Sequence, residues 1–438
     1  MQLLVFSIFF LSALVVPVGA QEEATQPPPL TLQEAVDTAL RHHPTIRMDR
    51  ATIEAAQQRV RQQIAGYLPK GAYTYTYSRQ QRPLSAAVGG VQVGGQQQRT
   101  FSQIFNFNST NFSMTQLLFD FGRNLNSIQA AVASVDASTA DLETTQQAVI
   151  FNTKQAYYGL LSSQQLLGVA EETVRQNQKH LEEAQARFEV GVAPRFDVTQ
   201  AQVQVSNAEL NLVTARNNVD LGFETLRTAM GQTEPLRVTL TEVLAQPPAS
   251  LNEEPVLQQA YARRPELESL RAQQRAVNER ITALQKQYLP SLSGSAQYNW
   301  TGREYPLQQG WLWGMTVTVP LFDSILTTSQ LGEAQATLRN LQAQEQNLRQ
   351  QVTLEVRQSI LNARRAVESI RVSGQTQVQA QENLELAEGR YAAGVGNIIE
   401  VTDAQVSLTS ARANNIKALY DYKTALAELE KAIGFPLE

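Results

Sequence analysis

Few residues in this chain have the types and spacing that chemistry requires. His42, His43 and His180 are its only histidines. Adjacent His42 and His43 cannot face the same way on a helix, so the sequence predicts no zinc site. No serine, aspartate or glutamate is spaced as a nucleophile beside its base. We therefore predict no catalytic residue, no bound metal ion and no cofactor.

Three acidic residues stand where helices are predicted to begin, each shortly after a glycine turn. They are Asp197, Glu400 and Asp403. Glu400 and Asp403 are three residues apart and therefore share one face of a helix. Asn397 followed by Glu400 has the form of a capping box, and carboxylates suit a helix N-terminus in any case. A capping role and a role in function both stay open for these carboxylates.

The composition of the 438 residues excludes several classes of function. The formal net charge of -5 leaves no basic surplus to neutralise phosphates, so we predict no nucleic-acid partner. Cysteine is absent, which excludes disulfides and thiolate metal ligands. Hydrophobic residues make up 42% of the chain and charged residues only 18%, which suits a folded protein with a weakly charged surface.

The N-terminus predicts export. Leu3 to Val18 is almost wholly apolar, and Val18-Gly19-Ala20 has the small residues of a signal-peptidase site. The alternative is a membrane anchor, but the apolar run is shorter than the ~20 residues that a spanning helix needs. We therefore predict a signal peptide over residues 1–20. No second apolar stretch of spanning length follows, so a mature chain that crosses a membrane must do so as strands.

The most informative feature of the sequence is an internal repeat. From Leu118 to Gly231 the first copy aligns with the second without a gap. Each residue of this range matches the residue 203 positions later, as Arg187 matches Arg390. Further upstream the offset is 221, so the first copy has 18 extra residues before Leu118. An insertion confined to one place marks a surface loop. The matched segments are Leu118-Phe119-Asp120 with Leu321-Phe322-Asp323, Arg187-Phe188 with Arg390-Tyr391, Asp197-Val198-Thr199 with Glu400-Val401-Thr402, Gly231 with Gly434, and Tyr67-Leu68-Pro69 with Tyr288-Leu289-Pro290.

Each copy is predicted to run helix, strand, loop, strand, very long helix, tight turn and helix. Tyr73, Tyr75 and Tyr77 alternate with small polar residues, which predicts a sheet with one apolar and one wet face. After Asp120 and Asp323 the pattern stays helical for about 70 residues, or roughly 105 Å. The predicted organisation is a first repeat over 21–233 with a β-hairpin at 67–118 and a tip turn at 191–196, a linker over 234–254, and a second repeat over 255–438 with a β-hairpin at 288–321 and a tip turn at 394–398.

One predicted strand is irregular. Phe105 and Phe107 occupy odd positions, whereas Phe112 and Met114 occupy even ones. A bulge or a turn near Ser109 would bring these side chains to one face. We predict one of the two at that point.

Strands in a membrane require partners. Lipid offers nothing to pair with the N–H and C=O groups of an open edge, and four strands per chain are fewer than the about eight of the smallest membrane barrels. The chain is therefore predicted to oligomerise, and three copies would supply twelve strands. The alternative is a periplasmic coiled-coil scaffold or adaptor without a pore, because most long periodic helices are coiled coils. A soluble coiled coil does not require two pairs of aromatic strands. The hairpins therefore favour the interpretation as a membrane protein.

The chain resembles the TolC family of outer membrane efflux proteins over essentially all of its mature length. The resemblance lies in the duplicated halves, in hairpins that each open into a long helix, and in the Leu-Phe-Asp before each long helix. It also lies in the pattern Arg-x-x-x-Gly-x-x-x-x-x-Asp/Glu-Val, at Arg187 to Val198 and again at Arg390 to Val401. The family implies an α+β membrane protein with four transmembrane β-strands and long α-helical hairpins per protomer. It further implies a trimeric, twelve-stranded β-barrel that a periplasmic α-barrel continues.

The resemblance also assigns roles to residues around the two tip turns. Glu400 and Asp403 align with an acidic ring at the closed periplasmic entrance, and Asp197 is assigned to the same acidic gate. A threefold ring of carboxylates favours cations. Asp197 and Tyr391 match positions that latch the tips together. Gly396 stands where the family has a latching arginine, so the latch chemistry is expected to differ here. The tip that would meet a periplasmic adaptor comprises Arg187, Gly191, Val192, Arg390, Gly394 and Val395.

Helix termination alone also accounts for some of the residues at these tips. Gly191 and Gly394 are expected to end helices in the left-handed conformation that glycine adopts cheaply. Arg187 and Arg390 are expected to interact favourably with a helix C-terminus, a contribution below ~1 kcal/mol. These structural roles are compatible with docking, because a turn can also be a contact surface.

The function that the resemblance implies is passive conduction across the outer membrane. A homotrimer in outer-membrane lipid would receive its cargo from a periplasmic adaptor and an inner-membrane efflux pump or ABC transporter. It would need no ATP or proton site, and no enzyme activity is expected. A wall rich in glutamine, serine and asparagine is unselective, so drugs, metals, other small molecules and secreted proteins all stay open as cargo.

Overall fold

The computed structural model describes residues 29–84, 101–236, 238–241 and 253–434. The predicted signal peptide lies outside these ranges, as do residues 85–100 of the extra loop in the first copy. Residue 237 and residues 242–252 of the predicted linker also lie outside them.

Long helices and one sheet make up most of the described chain. Each half contains two short helices, a β-hairpin, a helix of 67 residues and a return helix. None of the described helices is both long and apolar enough to cross a membrane. The elements are, in order, β1 (Pro29–Leu30), α1 (Leu32–His42), α2 (Pro44–Ile64), β2 (Lys70–Leu84), β3 (Phe101–Phe119), α3 (Arg123–Glu189), α4 (Arg195–Ala229), β4 (Thr239–Leu240), α5 (Glu253–Arg263), α6 (Pro265–Gln285), β5 (Ser291–Gly302), β6 (Gln308–Thr318), α7 (Leu326–Ala392) and α8 (Ile398–Ile433).

The four long strands form one antiparallel sheet in the order β2-β3-β5-β6. The hairpins of the two halves thus join edge to edge. One row of register partners across the sheet is wholly aromatic: Tyr73, Phe112, Tyr298 and Trp311. The adjacent row, on the opposite face, is polar or glycine: Thr74, Asn111, Asn299 and Gly310. The period-two prediction is therefore confirmed, and within the described ranges the outer edges of β2 and β6 pair with no other strand.

Strand β3 corrects one prediction. Ser109 pairs in regular register with both neighbouring strands, so it marks neither a turn nor a bulge. The register shift lies instead at the end of the strand, between Leu117 and Phe119. The odd-numbered phenylalanines consequently lie on the polar face. The guanidinium of Arg303 stands 3.8 Å from the centroid of the Phe105 ring, and this cation–π contact stabilises an aromatic ring among polar neighbours.

An aspartate caps the start of the first long helix. Asp120 is only 3% exposed. Its carboxylate accepts the backbone N–H groups of Gly122 at 3.1 Å and Asn124 at 2.7 Å, and the hydroxyl of Tyr67 at 3.1 Å. The carboxylate thereby satisfies two helix N–H groups that no carbonyl can reach. It also ties the start of α3 to the chain that leads into β2.

The second long helix starts from a similar elbow, although the residue just before the helix differs: Gly122 is left-handed with φ of 80°, whereas Ile325 has φ of -111°. Asp323 accepts the N–H of Thr327 at 3.1 Å and the hydroxyl of the same residue. Phe121 and Ser324, at matching positions of the two copies, are left-handed, with φ of 54° and 60°. A left-handed conformation is costly for residues other than glycine. Its presence in both copies shows that the repeat extends to the backbone at these elbows.

The largest buried cluster lies midway along the helices and joins α1, α3, α4 and α8. Tyr157, Leu226 and Met230 are almost fully buried in it. The Tyr157 hydroxyl donates to the carbonyl oxygen of Leu30 at 2.9 Å and accepts the N–H of Thr241 at 3.1 Å. These bonds attach the small parallel ribbon of β1 and β4 to the long helix α3.

We expect the Asp120→Ala substitution to lower the free energy of unfolding by about 1–3 kcal/mol, because it removes the acceptor of three donors in a buried setting. Chemical denaturation of the full chain in detergent measures this. Asp323→Ala is the matched comparison and should cost less, since Asp323 serves a single residue. Equal losses from the two substitutions would contradict this account of the elbows.

Candidate functional site: the hairpin tips

Both helical hairpins end in the same type of turn. Gly191 and Gly394 have φ of 77° and 75°, so the predicted left-handed glycines are confirmed. The N–H of Val192 donates to the carbonyl of Arg187 at 3.0 Å. The equivalent bond of the second turn, from Val395 to Arg390, is also 3.0 Å. These bonds close each helix end in the Schellman manner and satisfy carbonyls that the helix leaves unpaired.

The carboxylates of the second tip differ in their partners. Asn397 accepts the N–H of Glu400 at 2.9 Å, so it caps α8 as predicted. The Glu400 carboxylate does not complete a capping box. It accepts a hydrogen bond from Nε of Arg390 at 3.2 Å across the turn. Asp403 is exposed, and its carboxylate contacts no cation or hydrogen-bond donor among the described residues.

An arginine of the first hairpin holds the second. Arg187 donates to the carbonyl oxygen of Tyr391 at 3.1 Å, and its guanidinium carbon lies 4.4 Å from the centroid of the Tyr391 ring. The predicted interaction of Arg187 with a helix C-terminus is therefore confirmed, but the helix is α7 of the other hairpin. Burial raises the pKa of the Tyr391 phenol, and the nearby Asp197 carboxylate raises it further. The structure thus brings Arg187, Asp197 and Tyr391 together.

Gly396 fills the position of the expected arginine for a geometric reason. Its N–H donates to the carbonyl of Arg390 at 3.0 Å, beside the bond from Val395. A Cβ atom on Gly396 would lie 3.0 Å from Cβ of Arg390 and 3.1 Å from the backbone nitrogen of Tyr391. A longer side chain there would displace the backbone of the turn. The arginine of this tip instead lies at position 390, on the other side of the same turn.

Further polar contacts join the two hairpins away from the tips. Thr173 lies 3.4 Å from Thr409 through their hydroxyls, and Nε2 of His180 lies 3.6 Å from the Glu388 carboxylate. Gln405 donates to Gln176. The sequence prediction missed these pairs. Their signal is a polar stripe on α3 at spacings of a helix face, namely Thr173, Gln176, His180 and Arg187.

In the part of the chain that the structure describes, no three histidine, cysteine, aspartate or glutamate side chains are grouped to hold a metal ion.

A sequence model of the family described as outer membrane efflux protein matches residues 35–232 and 256–435. The chain belongs to this family. It is 26% identical to the outer membrane protein TolC of Escherichia coli over 425 residues, which cover 92% of this chain and 82% of that protein. It is also 26% identical to the toluene efflux pump outer membrane protein TtgC of Pseudomonas putida over 418 residues, with the same coverage of 92% and 82%.

Solved structures share the fold. A membrane protein from Pseudomonas aeruginosa superposes with a TM-score of 0.80 at 22% identity, covering 92% of this chain and 93% of that one. The CmeC outer membrane channel of Campylobacter jejuni gives a TM-score of 0.80 at 17% identity, covering 92% and 85%. As a member of this family the chain is an outer-membrane efflux channel, and the family is one of channels rather than enzymes. The two matched ranges, 35–232 and 256–435, agree with the family resemblance inferred from the sequence.

We expect Arg187→Ala to loosen the junction between the hairpins, because it removes both the bond to the Tyr391 carbonyl and the cation–π contact. Each is a contribution of about 1 kcal/mol, so backbone amides around residues 387–397 should exchange about tenfold faster or more. Hydrogen exchange with mass spectrometry measures this in the full chain. Arg195→Ala, an exposed arginine at the start of α4, is the control and should leave these amides unchanged. Unaltered exchange in the Arg187 variant would show that the contact contributes nothing to the junction.

Proposed function

We propose that three copies of this chain form a closed duct through the outer membrane, which their helices continue into the periplasm. The observation that carries the proposal is the sheet, with its aromatic face and its two edges that no described strand pairs. Edge N–H and C=O groups need partners in a bilayer. Pairing of β2 with β6 of a neighbouring copy would satisfy both edges, and three copies supply twelve strands, more than the about eight of the smallest membrane barrels.

The surface of the helices supports assembly. On α4 the apolar side chains of Phe196, Val203 and Leu210 are 58%, 48% and 67% exposed. Their seven-residue spacing is that of a seam between packed helices. A neighbouring copy that covers this seam would remove apolar surface from water, at about 25 cal/mol per Å².

The tips supply a surface for a periplasmic adaptor. Val192 and Val395, beside the two left-handed glycines, are 73% and 69% exposed. Exposed apolar side chains with arginines beside them suit a protein partner. An inner-membrane efflux pump or ABC transporter behind that adaptor would supply the energy, and the duct itself would conduct passively, without catalysis. Relatives of this chain include outer membrane proteins of toluene and antibiotic efflux pumps, so small organic molecules are the cargo that we propose for this chain.

The entrance charge of this duct comes chiefly from Asp403. Under threefold symmetry, Glu400 and Asp403 would form a ring of carboxylates, as the family pattern implies. The bond from Arg390 to Glu400 places a guanidinium beside each Glu400, and this offsets its charge. Asp403 has no such partner among the described residues, so it would attract cations more strongly than Glu400.

Fractionation followed by conductance measurement tests the duct. We expect the full chain in the outer-membrane fraction as a heat-resistant trimer that forms single channels in planar bilayers. A water-soluble monomer without conductance would refute the duct and support the periplasmic scaffold instead.

Selectivity measurement tests the entrance. We expect Asp403→Asn to reduce cation selectivity and divalent block more than Glu400→Gln does, and Arg390→Gln to increase both. One carboxylate changes the concentration of cations at a distance of ~8 Å in water by up to about twofold. Reversal potentials under a potassium chloride gradient measure the effect. Glu382→Gln, an exposed residue of α7 away from the turn, is the control. Identical selectivity in all variants would sink the assignment of these residues to the entrance.

A further inference from the structure

A groove along one side of α3 carries three arginines near the sheet. Two cavities of about 420 and 640 Å³ lie in it, between α2, α3 and α6. Arg123 and Arg280 line the first cavity, whereas Arg59 and Arg280 line the second. Because Arg280 borders both, the cavities form one continuous strip of positive charge.

None of these three arginines is directly paired with a carboxylate among the described residues. In the described ranges none of their side chains makes an ion pair or a hydrogen bond. On the same helix as Arg280, by contrast, Arg271 contacts Glu345 at 3.4 Å and Arg275 contacts Glu268 at 3.3 Å. The other two arginines of α6 are thus paired with carboxylates, whereas Arg280, which borders the groove, is not.

Among the described residues that line the two cavities, the only carboxylate already has hydrogen-bond partners. Asp120 lines the first cavity. Its two oxygens accept the three hydrogen bonds from Gly122, Asn124 and Tyr67 that cap α3. It therefore lowers the positive charge of the groove without forming a pair with Arg123 or Arg280. The groove keeps an excess of positive charge that can act on a mobile anion.

The sheet indicates which side of the wall the groove faces. Leu117 lines the first cavity and is the register partner of Ser293, on the polar face of the sheet. The aromatic face holds Phe112 and Trp311 and suits lipid. The groove accordingly opens on the polar side, which borders the interior of the proposed duct.

We propose that Arg59, Arg123 and Arg280 form an anion-binding collar inside the duct, where the helices meet the sheet. Three copies bring nine guanidinium groups to one level of the conduit. Guanidinium groups bind carboxylates and phosphates through paired hydrogen bonds. The collar would thus favour small organic anions that carry one of these groups, at the opposite end of the helices from the acidic entrance. This inference rests on the proposed function of a trimeric duct.

Planar bilayers containing the full-length protein test the collar. The triple variant R59Q/R123Q/R280Q is compared with R50Q/R61Q/R216Q, which removes the same charge from exposed arginines that line neither cavity. We expect the first variant to shift the reversal potential in a potassium chloride gradient toward that of potassium, with a change of up to about twofold in anion permeability per charge. Inorganic phosphate added on one side should reduce the current through the wild-type channel but not through this variant.

Other results would contradict the proposed collar or the proposed duct. The collar is refuted if the R59Q/R123Q/R280Q channel conducts with wild-type selectivity, or if the control variant shifts the potential equally. It is also refuted if selectivity is unchanged while binding to cardiolipin vesicles falls, because the groove would then face lipid headgroups. A wild-type protein that forms no channel at all would refute the proposed duct itself, which separates the two failures.

Discussion

The structure depends on the rule that a strand in lipid cannot leave its backbone groups unpaired. This chain builds a sheet of four strands from its two halves, joined where β3 meets β5. Among the described strands two edges remain, at β2 and β6, and one aromatic row runs across the whole width between them. The same chain leaves an apolar seam on α4. In the described ranges the sheet thus keeps two unpaired edges and α4 keeps an uncovered apolar seam, features that a wall segment requires and a self-contained domain does not.

Features that depend only on neighbouring residues could be predicted from the sequence. The need for a left-handed residue after a helix is local, so Gly191 and Gly394 could be predicted from their positions alone. The period-two tyrosines of β2 could be predicted for the same reason. The contact between Arg187 and Tyr391 could not, because it joins residues 204 positions apart and depends on how the hairpins pack. The register shift at the end of β3 likewise depends on pairing with β5, which no single strand specifies.

Equivalent residues of the two halves have acquired different partners. Arg187 and Arg390 occupy the same position before the turn, yet the first reaches the neighbouring hairpin and the second stays within its own. The difference follows from the residues that surround them. Tyr391 offers its ring and its carbonyl oxygen to Arg187, whereas Glu400 offers a carboxylate across the turn to Arg390. The repeat thus preserves the turn and its charged positions, whereas the partners of the two arginines differ.

The left-handed elbows at Phe121 and Ser324 also have a mechanical consequence. Each elbow is fixed by an aspartate cap and carries a helix of 67 residues, which is about 100 Å long at 1.5 Å per residue. A small rotation of such a helix about its capped end therefore produces a large displacement of its far end. A tilt of about 3° at the elbow moves the far end by about 5 Å over this length. Widening the periplasmic end by the diameter of a small molecule therefore demands almost no rearrangement at the sheet.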